Sequence, residues 1–328
     1  MSKVLGLGNA LVDMLVQLKG DDFLEKLNFP KGSMQLVDAE TSLKVIESIQ
    51  QQNLKLEQAS GGSAANTIHG LACLDVATGF IGKVGQDSIG DFFRSDMSAK
   101  NIDPMLLNST SASGKAVAMI SPDSERTFAT FLGAAVELTA DDLTADMFKG
   151  YSHFHIEGYL VQNHQLIEKA LQLAKESNLI VSLDLASYNV VEDNLAFLKD
   201  MTQKYVDILF ANEEEAKSFT NQEGEAALST MAELCNIAVL KVGKEGSIIK
   251  HGDEVCRVGV IEAERVDTTG AGDLYASGFL FGMTKLLSLD KCGELGTLLA
   301  GNVIEVVGSK MDEARWAKIK EGVAKIIG

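Results

Sequence analysis

Basic charge is scarce in this chain. Its 328 residues carry 29 lysines and arginines against 46 aspartates and glutamates, a formal net charge of −17. Nucleic acids and anionic membranes are gripped through basic patches, so this balance argues against either as a partner. A single phosphate is still compatible with it, because a few backbone N–H groups can bind one. Long apolar runs are missing too: no stretch approaches the roughly eighteen residues that a membrane span needs. The opening MSKVLGLGNALVDM enters a strand-like run with no basic n-region and no small-residue cleavage site, so a cytoplasmic protein is expected. Cysteine is sparse and scattered: Cys73, Cys235, Cys256 and Cys292 form no C-x-x-C pair and read as reduced, mostly buried thiols. Two nucleotide signatures are also absent. G-x-x-x-x-G-K-[ST] occurs nowhere, and GLGNAL has Leu11 where a dinucleotide fingerprint needs its third glycine, which argues against a nicotinamide enzyme.

What is present is a chain of ordinary globular composition, 46% apolar and 23% charged, long enough to bury a large core. There is no internal repeat, low-complexity segment or long linker. From about Asp141 the pattern is regular: HFHIEGY, LIVSLDLA, VDILFAN and IAVLKVG read as strands, with helices at 164–177, 213–220 and 223–234. Strands alternating with helices predict βαβ units and a mostly parallel, doubly wound sheet with helices on both faces. Two earlier regions, 13–37 and 114–131, alternate with period two instead and predict a small β-sheet with one open face. A helix is expected over 39–52, another over 88–101, and two long helices from Asp273 and from about Leu289. The expectation is a single α/β domain over 1–328 carrying that small sheet as a lid.

The motif that raises a chemical question is DTTGAGD, residues 267–273. A helix starting near Gly270 would aim its first N–H groups, which lack intrahelical partners, at one spot. Gly270 and Gly272 let a ligand approach that backbone, and the helix dipole favours an anion there. Asp273 beside such an anion hole could take a proton from an attacking hydroxyl. It could equally be a helix cap after a glycine turn, and the motif alone does not decide.

DTTGAGD followed by LYASGFLFG resembles the C-terminal signature of the ribokinase (PfkB) family of sugar and nucleoside kinases. GNALVD, SGGSAANT, GKVGQDSIGDFF, SERTF, YVDILFANEEEA and KVGKEGS follow in that family's order over nearly the whole chain. GNALVDM, GGSAANT and YVDILFANEEEA look most like the adenosine kinase branch. The resemblance implies that Asp273 is the general base for a primary hydroxyl attacking the γ-phosphate of ATP, with Gly270, Ala271 and Gly272 forming the anion hole. Asp13, Gly61, Gly62 and Asn66 match the sugar-contacting positions. Asn212 and Glu215 match the magnesium and phosphate motif and would reach Mg2+ through water. Arg126, Lys241, Gly243, Gly246, Thr268 and Asn302 match nucleotide-binding positions. Lys241 stands where the family usually has threonine, so a hydroxyl contact is lost there and a charge is gained. Many relatives also take a monovalent cation such as K+ held by backbone carbonyls, which the resemblance would place at the Asp267–Thr269 segment and the loop near Gly308.

Adenosine is the favoured substrate, with a base shelf expected around Met14, Met34, Leu36 and Phe131. A free sugar kinase acting on ribose or fructose is the nearest alternative, and a non-catalytic nucleotide or sugar sensor is a second. A sugar-phosphate kinase is disfavoured because no basic cluster lies near Asp13 or Asn66 in the sequence. His153 and His155 share one strand face, which gives only thin evidence for a metal site; they are expected at the sheet end near the cleft. A monomer or homodimer is expected.

Overall fold

The computed structural model describes residues 2–123 and 125–328. In chain order the strands are β1 (Lys3–Leu7), β2 (Leu11–Gln17), β3 (Met34–Leu36), β4 (Leu56–Gly61), β5 (Ala77–Gly85), β6 (Ile102–Ser109) and β7 (Gly114–Ile120). They continue as β8 (Arg126–Phe131), β9 (His153–Glu157), β10 (Ile180–Asp184), β11 (Ile208–Asn212), β12 (Ile237–Lys241), β13 (Ser247–His251) and β14 (Glu254–Val258). The helices are α1 (Asp22–Lys26), α2 (Ala39–Gln51), α3 (Ser63–Cys73), α4 (Ser88–Ala99), α5 (His164–Glu176) and α6 (Tyr188–Tyr205). After them come α7 (Glu213–Thr220), α8 (Gly224–Ala232), α9 (Ala271–Thr284), α10 (Leu289–Val303) and α11 (Glu313–Ile327).

The large sheet runs β14-β13-β12-β11-β10-β9-β1-β5-β6, and every neighbouring pair from β12 to β6 is parallel. Alternate residues of its strands feed two separate cores. Ile208, Phe210 and Val239 enter one with α3, α9 and α10, while Leu209, Ala211 and Leu240 enter the other with α5 and α7. That explains why these strands read as continuous apolar runs: both faces are covered. From β1 the chain builds outward through β5 and β6, then returns to β9 and builds the other way. The strand order therefore reverses between β1 and β9, and the crevice beyond their carboxyl ends is where such sheets bind ligands.

The second sheet runs β3-β8-β7-β2-β4. One of its faces (Val12, Met14, Val16, Val117, Met119) is buried against Phe23 and Leu24 of α1 and Val45 and Ile49 of α2. The opposite face carries Asp13, paired in register with Ala116 of β7 and Ala59 of β4.

The structure departs from the sequence expectation in a few places. β4 falls outside the two regions expected to form the small sheet, yet it joins that sheet beside β2. β6 went unassigned; it carries Pro104 and sits at the sheet edge, where a missing N–H is tolerated. The C-terminal part forms three helices, α10 ending before a loop that contains Gly308 at φ +80°.

Candidate active site

β1, β9, β10, β11 and β12 end side by side, and the polar residues at or just past their ends form the floor of the site. Glu157, the last residue of β9, is buried and binds across to the segment after β1. Its Oε1 accepts from the Asn9 backbone N–H at 2.9 Å and from Asn9 Nδ2 at 2.7 Å. Its Oε2 accepts from Ala64 N–H at 2.8 Å, on the first turn of α3, where a carboxylate meets the positive end of the helix. Burial pushes Glu157 up to about 7 despite those hydrogen bonds. Gly62 enters α3 at φ +98°, and a Cβ there would overlap the Asn9 carbonyl, so this entry accepts only glycine.

α3 then presents two side chains to α9. Ser63 Oγ donates to Asp273 Oδ1 at 2.7 Å and Asn66 Nδ2 donates to Oδ2 at 3.0 Å. Both Asp273 oxygens are thus held. Burial raises the Asp273 carboxyl to about 6, with Asn66 and Ser63 opposing that rise and Asp184 adding to it. A group poised near 6 is mostly ionised at pH 7 and basic enough to accept a proton.

Gly270 caps α9 in the left-handed region at φ +77°, packed so closely on Ser309 that a Cβ would have no room. The Ala271 N–H is engaged by the Thr268 carbonyl at 3.1 Å. That leaves the N–H groups of Gly272 and Asp273 at this helix start free of backbone acceptors among the described residues. Lys241, at the end of β12, projects its Nζ to within 3.2 Å of where a Cβ on Gly272 would lie. The same Nζ is paired with Asp184 Oδ2 at 2.7 Å. Burial opposes the Lys241 charge, but Asp184, Glu215 and Asp273 outweigh it and hold the ammonium above its ordinary value. The residue that breaks the threonine pattern therefore places a cation at the anion hole.

Asn212 and Glu215 form a reciprocal cap on α7. Asn212 N–H and Nδ2 donate to Glu215 at 2.8 and 2.7 Å, and Glu215 N–H donates back to Asn212 Oδ1 at 2.8 Å. Burial lifts Glu215 to about 7, with Lys241 opposing and Asp184 adding. Among the described residues no three His, Cys, Asp or Glu side chains cluster closely enough to hold a metal directly. The hard oxygens of Asp184 and Glu215 beside the anion hole suit a Mg2+ that keeps its waters.

Asp13 lies flat against Gly61, where a Cβ would overlap its carboxylate. Burial raises Asp13 to about 6, Lys310 lowers it and Asp273 raises it. Arg126, on the small sheet, reaches across to the loop before α9, pairing with Asp267 and donating to Thr269 Oγ1 at 3.2 Å. Burial works against the Asp267 charge, but the Thr269 and Gly308 N–H groups and Arg126 together hold it below the usual carboxylate range.

Other expected residues stand apart from this cluster. Gly243 and Gly246 shape the β12–β13 turn at φ +54° and +95°. Asn302 is buried within α10, its Nδ2 donating to Leu298 O at 2.8 Å and its carbonyl accepting from Arg315 at 3.2 Å. His153 begins β9, at the end away from the site, and His155 is buried mid-strand beside Ser182 at 2.9 Å. That corrects their placement near the cleft. The expected base shelf also divides. Met14 (2% exposed) is paired with Val117 and Phe131 with Lys115, both on the core face, while Met34 and Leu36 (each 72% exposed) pair with Phe128 and Thr130 on the Asp13 face. Leu15, Ala116, Ala118 and Phe128 share that face.

Ser63, Glu157, Asp184 and Lys310 were not anticipated. Ser63 sits inside GGSAAN and was legible there; the other three are brought in only by strand and loop ends that meet in space.

Fold and site together define a ribokinase-like α/β phosphotransferase. Residues 32–314 match the pfkB family of carbohydrate kinases, and the chain belongs to that family. Its structure resembles that of a probable sugar kinase from Rhizobium etli CFN 42 (TM-score 0.85, 33% identity, 99% of each chain). It also resembles adenosine kinase from Sinorhizobium meliloti (TM-score 0.84, 33% identity, 98% of this chain and 99% of that one). In sequence it is 25% identical to adenosine kinase of Schizophyllum commune over 97% of this chain and 98% of that protein. The similarities support the adenosine kinase branch, and family membership implies ATP and, typically, Mg2+. No helix among the described residues is long and apolar enough to cross a membrane.

Proposed function

We propose that the protein phosphorylates the primary hydroxyl of a ribonucleoside, adenosine foremost, with Asp273 as general base. The observation that carries this reading is the small-sheet face that holds Asp13. One acceptor carboxylate stands there beside apolar Leu15, Ala116, Ala118 and Phe128, with Met34 and Leu36 at its open edge. A carboxylate suits a vicinal diol and the apolar strip suits a flat base. A free sugar would leave that strip unused.

In the reaction, Asp273 takes the proton of the substrate hydroxyl while its oxygen bonds to the γ-phosphorus of ATP. The bond to the β-phosphate oxygen breaks and ADP leaves. Gly272 and Asp273 N–H groups and the Lys241 ammonium hold the negative charge of the transferring group. Ser63 and Asn66 fix the base so that the hydroxyl is met in one geometry. Asp184 and Glu215 would hold hydrated Mg2+, which when bound neutralises phosphate charge. The small sheet acts as a lid: Arg126 ties it to the Asp267–Thr269 loop and helps keep water from the phosphoryl group.

ADP release with Mg-ATP, measured in parallel for adenosine, inosine, guanosine, ribose and fructose, tests the reading. Adenosine is expected to be turned over fastest, and Asp273→Asn to lose about 10²–10⁴-fold in kcat while still binding nucleoside. Turnover of sugars alone would overturn the nucleoside assignment, and an unimpaired Asp273→Asn would overturn the base.

A further inference from the structure

The loop after α10 is pinned to both sides of the site. Gly308 N–H donates to Asp267 Oδ2 at 2.7 Å, and Ser309 Oγ donates to Asn66 Oδ1 at 2.9 Å. Lys310 follows directly. Its Nζ is closed off from solvent and has no hydrogen-bond partner among the described residues. Burying an ammonium in this way is costly, and a methionine of similar length would fill the space more cheaply. The charge therefore calls for a reason.

The charged neighbours supply one. Carboxylates on three elements act on Lys310: Asp13 on β2, most strongly, then Asp96 on α4, and Asp273 on α9, with the Cys73 thiol of α3 among them. Buried His69, also on α3, feels the same ammonium; Lys100 acts on both His69 and Cys73, and Lys320 on Cys73 alone of the two. Asp96 has a partner of its own, since it accepts from Ser60 N–H at 3.0 Å. Asp273 has Ser63 and Asn66. Asp13 has no such partner: among the described residues no side-chain or backbone donor bonds its carboxylate, and Lys310 is the cation that acts on it.

We propose that Lys310 is a positioning residue for substrate recognition: its buried, otherwise unpartnered ammonium keeps Asp13 a carboxylate, ready to accept the substrate's hydroxyl protons as hydrogen bonds. This rests on Asp13 being the hydroxyl acceptor of the proposed reaction. Burial pulls Lys310 down to about 8 and pushes Asp13 up to about 6, so both are charged between those values. Without the ammonium, the burial of Asp13 is unopposed and its midpoint must rise.

The test compares the full-length wild type with Lys310→Met and Lys310→Arg. The Asp13 carboxyl is titrated by carbon NMR without substrate and assigned with Asp13→Asn. The Met variant is expected to move the Asp13 midpoint up by about one pH unit or more, and the Arg variant to keep it. With the accepted nucleoside, a one-unit shift makes KM about threefold higher at pH 6.5 for the Met variant, returning to parity near pH 8.5, with kcat nearly unchanged. Should Lys310→Met not fold, Lys310→Gln gives the same readout. An Asp13 midpoint unmoved by charge removal, or a loss confined to thermal stability, would overturn the proposal. Because the titration needs no substrate, a wild type silent towards nucleosides would strike the nucleoside reading and leave the Lys310 result to stand on its own.

Discussion

Asp273 is held at both oxygens by neutral donors, Ser63 and Asn66, rather than by a cation. Neutral donors fix its direction yet lower its basicity less than an ion pair would. The carboxyl near 6 predicts that kcat/KM falls as the pH drops through about 6, because the base becomes protonated. Ser63→Ala removes a hydrogen bond that favours the ionised form. Its acidic limb is therefore expected to move to higher pH, with activity at pH 8 much less affected. A pH–rate profile of the variant checks this, and an unmoved limb would place the titrating group elsewhere.

Among the elements, β4 and the turn into α3 carry a tight geometric demand that bears directly on Asp13. β4 pairs Gly61 with Leu11, and the absent side chain leaves room for Asp13 two residues along β2. Gly61→Ala forces the Asp13 carboxylate aside, and neither β4 nor β2 can yield, since both are laced into one sheet. Such overpacking costs about 1–3 kcal/mol. Much of that strain is expected to fall on substrate binding, with KM for nucleoside rising about tenfold or more and kcat moving less. Steady-state kinetics and a melting curve separate the two effects, and a variant with unchanged KM would remove Asp13 from the binding site. α7 makes a contrasting use of similar residues. There Asn212 and Glu215 satisfy each other as a cap, so buried Glu215 is closed off while Glu213 and Glu214 beside it stay exposed.

The whole molecule gathers carboxylates with raised values, Asp13, Glu157, Glu215 and Asp273, around one crevice. Each has a folded value above its unfolded one, so the folded state binds these protons more tightly. Their stabilising effect is present in acid and is lost as pH rises through about 6 to 7. Asp87, Asp142 and Asp267 act oppositely: although burial works against them, hydrogen bonds hold them low, and their contribution is lost only in stronger acid. Thermal stability of the substrate-free protein is therefore expected to rise as pH falls from 8 towards about 4–5, then to fall in stronger acid. Asp273→Asn, which removes one buried charge, is expected to melt at or above the wild type at pH 8. Calorimetry across that range checks both, and a maximum above pH 8 would contradict the placement of these carboxylates.

Much of this was legible in the residues alone. Continuous apolar runs spaced by helices specify a parallel sheet because both faces must be covered, and DTTGAGD specifies a glycine-entered helix with an acid in its first turn. Period-two alternation likewise marked most of the small sheet. The face of that sheet was not legible: Met14 and Met34 look alike in sequence, and pairing register alone sends one to the core and the other to the Asp13 face. Nor were Glu157 and Asp184, which end strands that become neighbours of the site only when the sheet order reverses. Lys310 lies 297 positions from Asp13 by number, and the loop that carries it is fixed by Asp267 and Asn66. Local pattern determines which elements form and where their backbones can bind an anion. Which charges face one another across the crevice was decided by tertiary structure, because electrostatic coupling depends on distance through the fold and not along the chain.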